Sequence, residues 1–218
     1  MIDHIFTFAS FIRTTIQQIF RKWALRLRGI NLGRGVIIGS KVKISKGVII
    51  GALVKIGDRA NISGNVILGS KVEIQKDVEI TGNVEIGEAS NIGSYSFIST
   101  MPMGKLKIGQ RVMVNSFNIL GAGKEVLIED DCIFAAFVHI TDSSHQFENI
   151  SSSPRHDPAL SEPVSIGEGS WLGSAVKVLK GVVVHKGCVI GAGAVVTSTL
   201  PPFSISVGIP AKVIRYRE

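Results

Sequence analysis

Aromatic side chains are scarce. Phe, Trp and Tyr make up 6% of 218 residues, against 45% for all hydrophobic types. A core with so few rings must come from Ile, Val, Leu and Ala. The 24 glycines supply bends, and the combination favours short strands and tight turns over helices. Cysteine is scarcer still. Cys132 and Cys188 lack CxxC spacing and sit in hydrophobic stretches, which reads as two reduced core thiols of an intracellular protein. Uninterrupted apolar runs are missing at the N-terminus. Arg13, Thr14, Thr15, Gln17 and Gln18 break the only candidate, leaving no signal-peptide core and no spanning segment. The expectation is a cytoplasmic chain. Acid is missing from the two ends. Residues 1–30 hold Arg13, Arg21, Lys22, Arg26 and Arg28 against Asp3, and the tail holds Lys212, Arg215 and Arg217 against Glu218, within a formal charge of +7. Such a balance suits nucleic acid, anionic lipid or phosphorylated small molecules. No basic stripe with interleaved aromatics crosses the body, so no nucleic-acid partner is expected.

What is present is a repeat of six. Ile38, Ile44, Ile50, Ile56, Ile62, Leu68, Ile74, Ile80, Ile86, Ile92 and Ile98 are all Ile or Leu. Two positions earlier runs a second ladder, from Val36 and Val42 to Val84, drifting to Ser90 and Ser96. The residue after each Ile is mostly Gly or Ser. A helix repeats its faces at about 3.6 residues and cannot hold this ladder on one side. Stacked coils can: six residues form one side of a triangular turn, and every ladder residue points inward. The small residues then mark corners, where a Cβ is crowded or φ is unusual. Register slips after Thr100 through "MPMGKL", again through "LGAGKEV", and a third time after Ile140. A last run from Ile166 to Val196 ends where Pro201, Pro202 and Pro210 oppose further regular coils.

Ile5, Phe8, Ile12, Ile16, Ile19, Trp23 and Leu27 recur at three and four, the spacing of an amphipathic helix. That helix either caps the open end of the solenoid or lies on an anionic membrane surface beside Arg13, Arg21, Lys22 and Arg26, giving peripheral contact with the inner face of the cell membrane. The organisation expected is an N-terminal amphipathic α-helix over 1–30, an all-β solenoid over 31–200 with a loop at 143–165, and a tail over 201–218.

The [LIV]-G-x-x-x-x repeat, followed in order by "SWLGS", "VIGAGAVVT", "PP" and "GIPAKVI", resembles the hexapeptide-repeat acyltransferases. Within them it is most similar to the branch of galactoside, maltose and polysaccharide O-acetyltransferases. The resemblance covers roughly residues 30–218. It implies a left-handed parallel β-helix, a homotrimer, and acetyl-CoA as co-substrate in the groove between neighbouring solenoids. It also implies a sugar or glycan acceptor, with a surface-polysaccharide or lipid-linked precursor among the candidates. By the same resemblance Trp171 and Ser174 lie along the groove, Ala192, Thr197 and Ser198 follow the pantetheine arm and adenine region, and Lys212 and Arg215 meet phosphates. For Ala192, Thr197 and Trp171 plain coil structure is the alternative. An amine acceptor, as in amino-sugar N-acetyltransferases or serine acetyltransferases, stays open within this fold.

Transfer of acetyl to an alcohol needs a base. The stretch "VHITDSSHQFENISSSPRH" holds three of the five histidines, and the resemblance points to His145. Gln146 stands where the family has proline, and the spacing to Trp171 is longer. Asp142 either orients an imidazole and contacts substrate or caps its own turn. His139 is the rival base. His156 belongs to a polar loop, His185 to a corner and His4 to the helix. Asn115 corresponds to a substrate-holding asparagine, or else belongs to a turn of the solenoid; an acid that contacts sugar in the family corresponds to Gly123. A three-histidine metal site, as in β-helix hydratases, would use His139 and His145, but no third ligand is evident and no metal is expected.

Overall fold

A computed structural model describes residues 18–218. Ile5, Phe8, Ile12, Ile16, Arg13 and His4 of the expected helix lie outside the described residues. The rest is the expected left-handed parallel β-helix, preceded by helix over 18–27. Two-residue strands stack into three flat faces. Face 1 runs through the rungs at 43–44, 61–62, 79–80, 97–98, 119–120, 139–140, 177–178 and 195–196. Face 2 runs from 31–32 through 49–50, 67–68, 85–86, 107–108, 127–128 and 165–166 to 183–184. Face 3 runs from 37–38 through 55–56, 73–74, 91–92, 113–114, 133–134, 171–172 and 189–190 to 205–206. In each rung the second residue points inward, so the Ile ladder from Ile38 to Ile98 is fully buried. Stacking β-branched residues on their own kind fills the interior in regular rotamers with few rings.

The corners differ from the simplest reading of the repeat. The left-handed residue is not the glycine that follows each Ile. It comes three residues after the inward one and need not be glycine: Lys41, Leu53, Arg59, Lys71 and Asp77 all have φ between 55° and 60°, whereas Gly169, Gly181, Gly187 and Gly193 take the position in the later coils. The glycine serves close approach instead. A Cβ on Gly51 would stand 2.7 Å from the carbonyl carbon of Gly69, and one on Gly57 2.6 Å from that of Gln75, each on the next coil. Coils can pack at strand spacing only if nothing projects there.

Where the valine ladder drifts to polar residues, the side chains span coils. The Ser90 hydroxyl donates to Gly109 O and accepts from Val112 N–H. The buried Asn118 amide donates to Asn115 O and accepts from Val138 N–H at 2.6 Å. These groups satisfy corner amides and carbonyls that the strand pairing leaves out.

Both ends of the rod are closed. At the start, the Gln18 amide both accepts from Ile38 N–H and donates to Ile38 O, imitating a strand, while Arg21 donates to the same carbonyl and Leu25 is buried against the first coil. The helix therefore caps, but not with its apolar face: Ile19, Trp23 and Leu27 are exposed. At the far end, Pro201 and Pro202 still permit one more rung, Ser204–Val207, and Lys212–Tyr216 folds back antiparallel onto it. Turning the chain direction ends the parallel template for further pairing.

Candidate active site at two corners of the coil

Regular coils repeat every eighteen residues on face 1, as in Asn61 opposite Glu79. Three successive coils are longer: Phe97 to Ile119, Ile119 to His139, and His139 to Lys177. All three enlargements leave from the corner between faces 1 and 2, so they stack. Asp142 ties the third to the second. Its carboxylate, fully buried, accepts from the backbone N–H of Gly123, Lys124 and Glu125 at 2.6–2.7 Å and from the Ser143 hydroxyl at 2.8 Å. The turn-holding role is the one the geometry displays. Every acceptor direction is occupied, so Asp142 neither orients His145 nor faces a substrate.

Above Asp142 the chain leaves the coil as an antiparallel ribbon, with Ser143, Ser144 and His145 opposite Ser161, Leu160 and Ala159. The hydroxyls of Ser143 and Ser161 meet at its foot, 2.7 Å apart. Gly123 lies against this foot: a Cβ there would come within 2.5 Å of the Ser161 hydroxyl, so any side chain at this position would have to displace the serine pair. His145 is exposed, and its imidazole makes no hydrogen bond among the described residues. His139 sits lower, on face 1 between Ile119 and Lys177. Burial first, and the Lys177 ammonium second, hold its pKa below the ordinary imidazole value, so it is neutral at physiological pH. His156 and His185 are exposed on the loop and on the corner between faces 2 and 3.

The remaining candidates fall into two groups. Thr197 and Ser198 follow the rung Val195–Val196 at the same corner as Asp142 and His145. Asn115, Ser174 and Ala192 are exposed at the next corner, between faces 3 and 1, with Trp171 beside them on face 3. Lys212 and Arg215 are exposed on the tail strand at the end of face 3. One solenoid therefore splits the set across the width of face 1. Among the described residues, no group of His, Cys, Asp or Glu is arranged to hold a metal ion. A concavity of about 310 Å³ lies apart from both corners, lined by Lys107, Leu127, Glu129, Asp130 and Glu168.

The corner of Asn115, Ser174 and Ala192 carries a feature the composition hides. Tyr95, Phe117 and Phe137 occupy successive left-handed positions at the corner between faces 3 and 1, and their rings stack at centroid spacings of 5.1 Å. They are exposed, as are Met113 and Ile133 on face 3 and Phe97 and Ile119 on face 1. Together they make an apolar ridge that runs up to His139 and Trp171. The signal was in the sequence: each ring follows an inward residue, Ile92, Val114 or Phe134, by three places.

Comparison with known proteins agrees with this architecture. Residues 163–198 match the family described as "Bacterial transferase hexapeptide (six repeats)". The chain is 34% identical over 115 residues to "Probable acetyltransferase Rv3034c" of Mycobacterium tuberculosis, covering 53% of this chain and 38% of that protein. It is 34% identical over 119 residues to "Putative lipopolysaccharide biosynthesis O-acetyl transferase WbbJ" of Escherichia coli, covering 51% and 61%. The matches thus span less than two thirds of these relatives. Among solved structures, a UDP-N-acetylglucosamine acyltransferase from Campylobacter jejuni superposes with a TM-score of 0.72 at 19% identity, over 87% of this chain and 71% of that one. The polySia specific acetyltransferase NeuO superposes with a TM-score of 0.55 at 23% identity, over 86% and 85%. The hexapeptide match lies on the coils that follow the His145 ribbon, and over them the chain is similar to the bacterial hexapeptide transferases.

Proposed function

We propose that the protein is an acetyl-CoA-dependent O-acetyltransferase acting on a sugar hydroxyl, with His145 as general base, at a groove formed between two protomers of a homotrimer. One observation carries the reading. The residues that the resemblance assigns to the reaction divide between two corners of one solenoid, and an exposed apolar ridge runs along the Ser174 corner and the faces beside it. A ridge of that kind is the mark of a protein interface. Packed in a closed ring, each protomer offers its His145 corner to the Ser174 and Ala192 corner of a neighbour.

In that groove the neutral imidazole of His145 takes the proton of the acceptor hydroxyl as its oxygen attacks the thioester carbonyl. The tetrahedral oxyanion collapses, the C–S bond breaks, and the CoA thiolate leaves with the proton returned by the imidazolium. The acetyl group ends on oxygen and the proton on sulfur. The thiols take no part: Cys132 is buried, donates to Gly167 O, and is pushed up to about 11 by burial. Lys212 and Arg215, on the exposed tail strand, supply positive charge for the CoA phosphates. The relative named for lipopolysaccharide biosynthesis supports a glycan acceptor on a surface polymer or its lipid-linked precursor.

The test is acetyl transfer from acetyl-CoA to a panel of sugars, nucleotide sugars and lipid-linked oligosaccharides. His145→Ala is expected to lower kcat by roughly two to four orders of magnitude, the range for loss of a general base, with acetyl-CoA affinity nearly unchanged. Near-normal turnover would reject His145. Normal loss with His139→Ala instead would move the base to face 1, and a panel active only on amines would replace the hydroxyl acceptor.

A further inference from the structure

We propose that the outward face of the N-terminal helix is a docking surface for an anionic lipid bilayer, on which the helix lies in plane. The helix has two opposite faces. Gln18, Arg21 and Leu25 recur at three and four and hold the first coil. Turned away from it are Ile19 at 61% exposure, Phe20 at 66%, Trp23 at 59% and Leu27 at 67%. A helix that caps a rod would ordinarily put such residues against it. Here polar groups do the capping, because the end of a β-coil presents backbone N–H and C=O groups that an apolar face would leave unsatisfied. The apolar face is left for something else.

Its surroundings select the occupant. Residues 18–28 contain Arg21, Lys22, Arg26 and Arg28 and no Asp or Glu. At about 100° per residue, Lys22 and Arg26 border the strip on the Ile19 side and Arg28 borders it on the other, while Arg21 turns to the first coil. Large apolar groups in the middle, a Trp among them, with cations on both rims match the acyl boundary and the anionic headgroups of a bilayer. Long basic side chains reach outward from such a depth. Among the described residues, no helix is long and apolar enough to cross a membrane, so the geometry fits a helix lying in the interface. An ordinary protein interface would not need a cationic rim free of acids.

The experiment is co-sedimentation of the full chain with vesicles of mixed phosphatidylglycerol and phosphatidylcholine, and with phosphatidylcholine alone. The protein should pellet with the anionic vesicles, less so in added salt, and weakly with the neutral ones. The double variant Phe20→Glu/Trp23→Glu should bind roughly tenfold more weakly or worse, with its thermal unfolding nearly unchanged because both side chains are mostly exposed. Lys22→Gln/Arg26→Gln should lose the preference for anionic vesicles while keeping the apolar face. Brominated acyl chains should quench emission from the wild type, and the quenching should vanish in Trp23→Phe. Equal binding by the Glu double variant, or no binding by the wild type, overturns the proposal. A fall in particle mass of the Glu variant without lipid also overturns it, because the face would then be covered by a second copy of the chain.

Discussion

At the scale of single residues, the two histidines nearest the enlarged corner live in different surroundings. His145 stands free on the ribbon, whereas His139 is half-buried beside Lys177. The depressed pKa of His139 has a consequence for stability. Its folded pKa lies below its unfolded one, so protonation favours unfolding. Its contribution is fully present above the unfolded value of about 6.5 and is lost as pH falls through the folded value. Between pH 7.5 and pH 5, urea unfolding of the wild type should show a falling midpoint, and His139→Gln should show a smaller fall. An unchanged slope in the variant would mean that His139 does not carry this dependence. Asp142 gives the matching lesson for reading a sequence. An aspartate three places before a histidine fits an imidazole-orienting pair as well as a turn, and spacing alone cannot choose. The choice was made by Gly123, Lys124 and Glu125, whose amides reach its carboxylate from a neighbouring coil.

At the scale of the element, the coil was legible because period six repeats eleven times and nothing but a triangular turn uses it. The enlarged corner was legible in part. The inward rungs Ile98, Leu120 and Ile140 each precede a break in the period, and counting faces modulo three assigns all three to face 1. The corner conformation was not legible. The left-handed residue can be Lys41, Leu53, Asp77 or Tyr95, chosen by no shared chemistry, because the stacked backbone imposes φ on whatever stands there. Asn118 was likewise hidden, since only the fold shows that it replaces a ladder valine. Its amide is the only partner of Val138 N–H inside the corner and also holds Asn115 O. Asn118→Ala strands the Val138 N–H in a dry interior, while Asn115 O keeps the Ser96 hydroxyl at 3.2 Å, and the orphaned group should cost roughly 1–3 kcal/mol. Denaturant unfolding measures this directly. A loss under about 1 kcal/mol would mean that water or a shifted coil replaces the amide.

At the scale of the whole molecule, the solenoid is a ruler that fixes which residues can meet. Face 1 separates the corner of His145 and Ser198 from the corner of Ser174 and Ala192, and no side-chain motion closes that gap within one rod. A composite groove between protomers is therefore a geometric claim that can be checked without a further structure. His145→Ala removes the proposed base from one corner. Ala192→Trp blocks the other corner, at an exposed site where a larger side chain leaves the coil intact. Each variant alone should be inactive. After unfolding and refolding an equal mixture, subunits combine at random in a closed ring, and about one groove in four pairs an intact His145 corner with an intact Ala192 corner. The mixture should thus recover about a quarter of wild-type turnover, with the acetyl-CoA KM of the wild type. If both corners of a site came from the same protomer, no mixture would contain an intact groove and activity would stay at the level of the single variants. Phe117→Glu, placed in the middle of the stacked ridge, should lower the particle mass and prevent recovery. Its ring stands on the Ser174 corner but two coils away from Ser174, so lost mass and lost rescue occurring together would tie the apolar ridge to assembly of the groove.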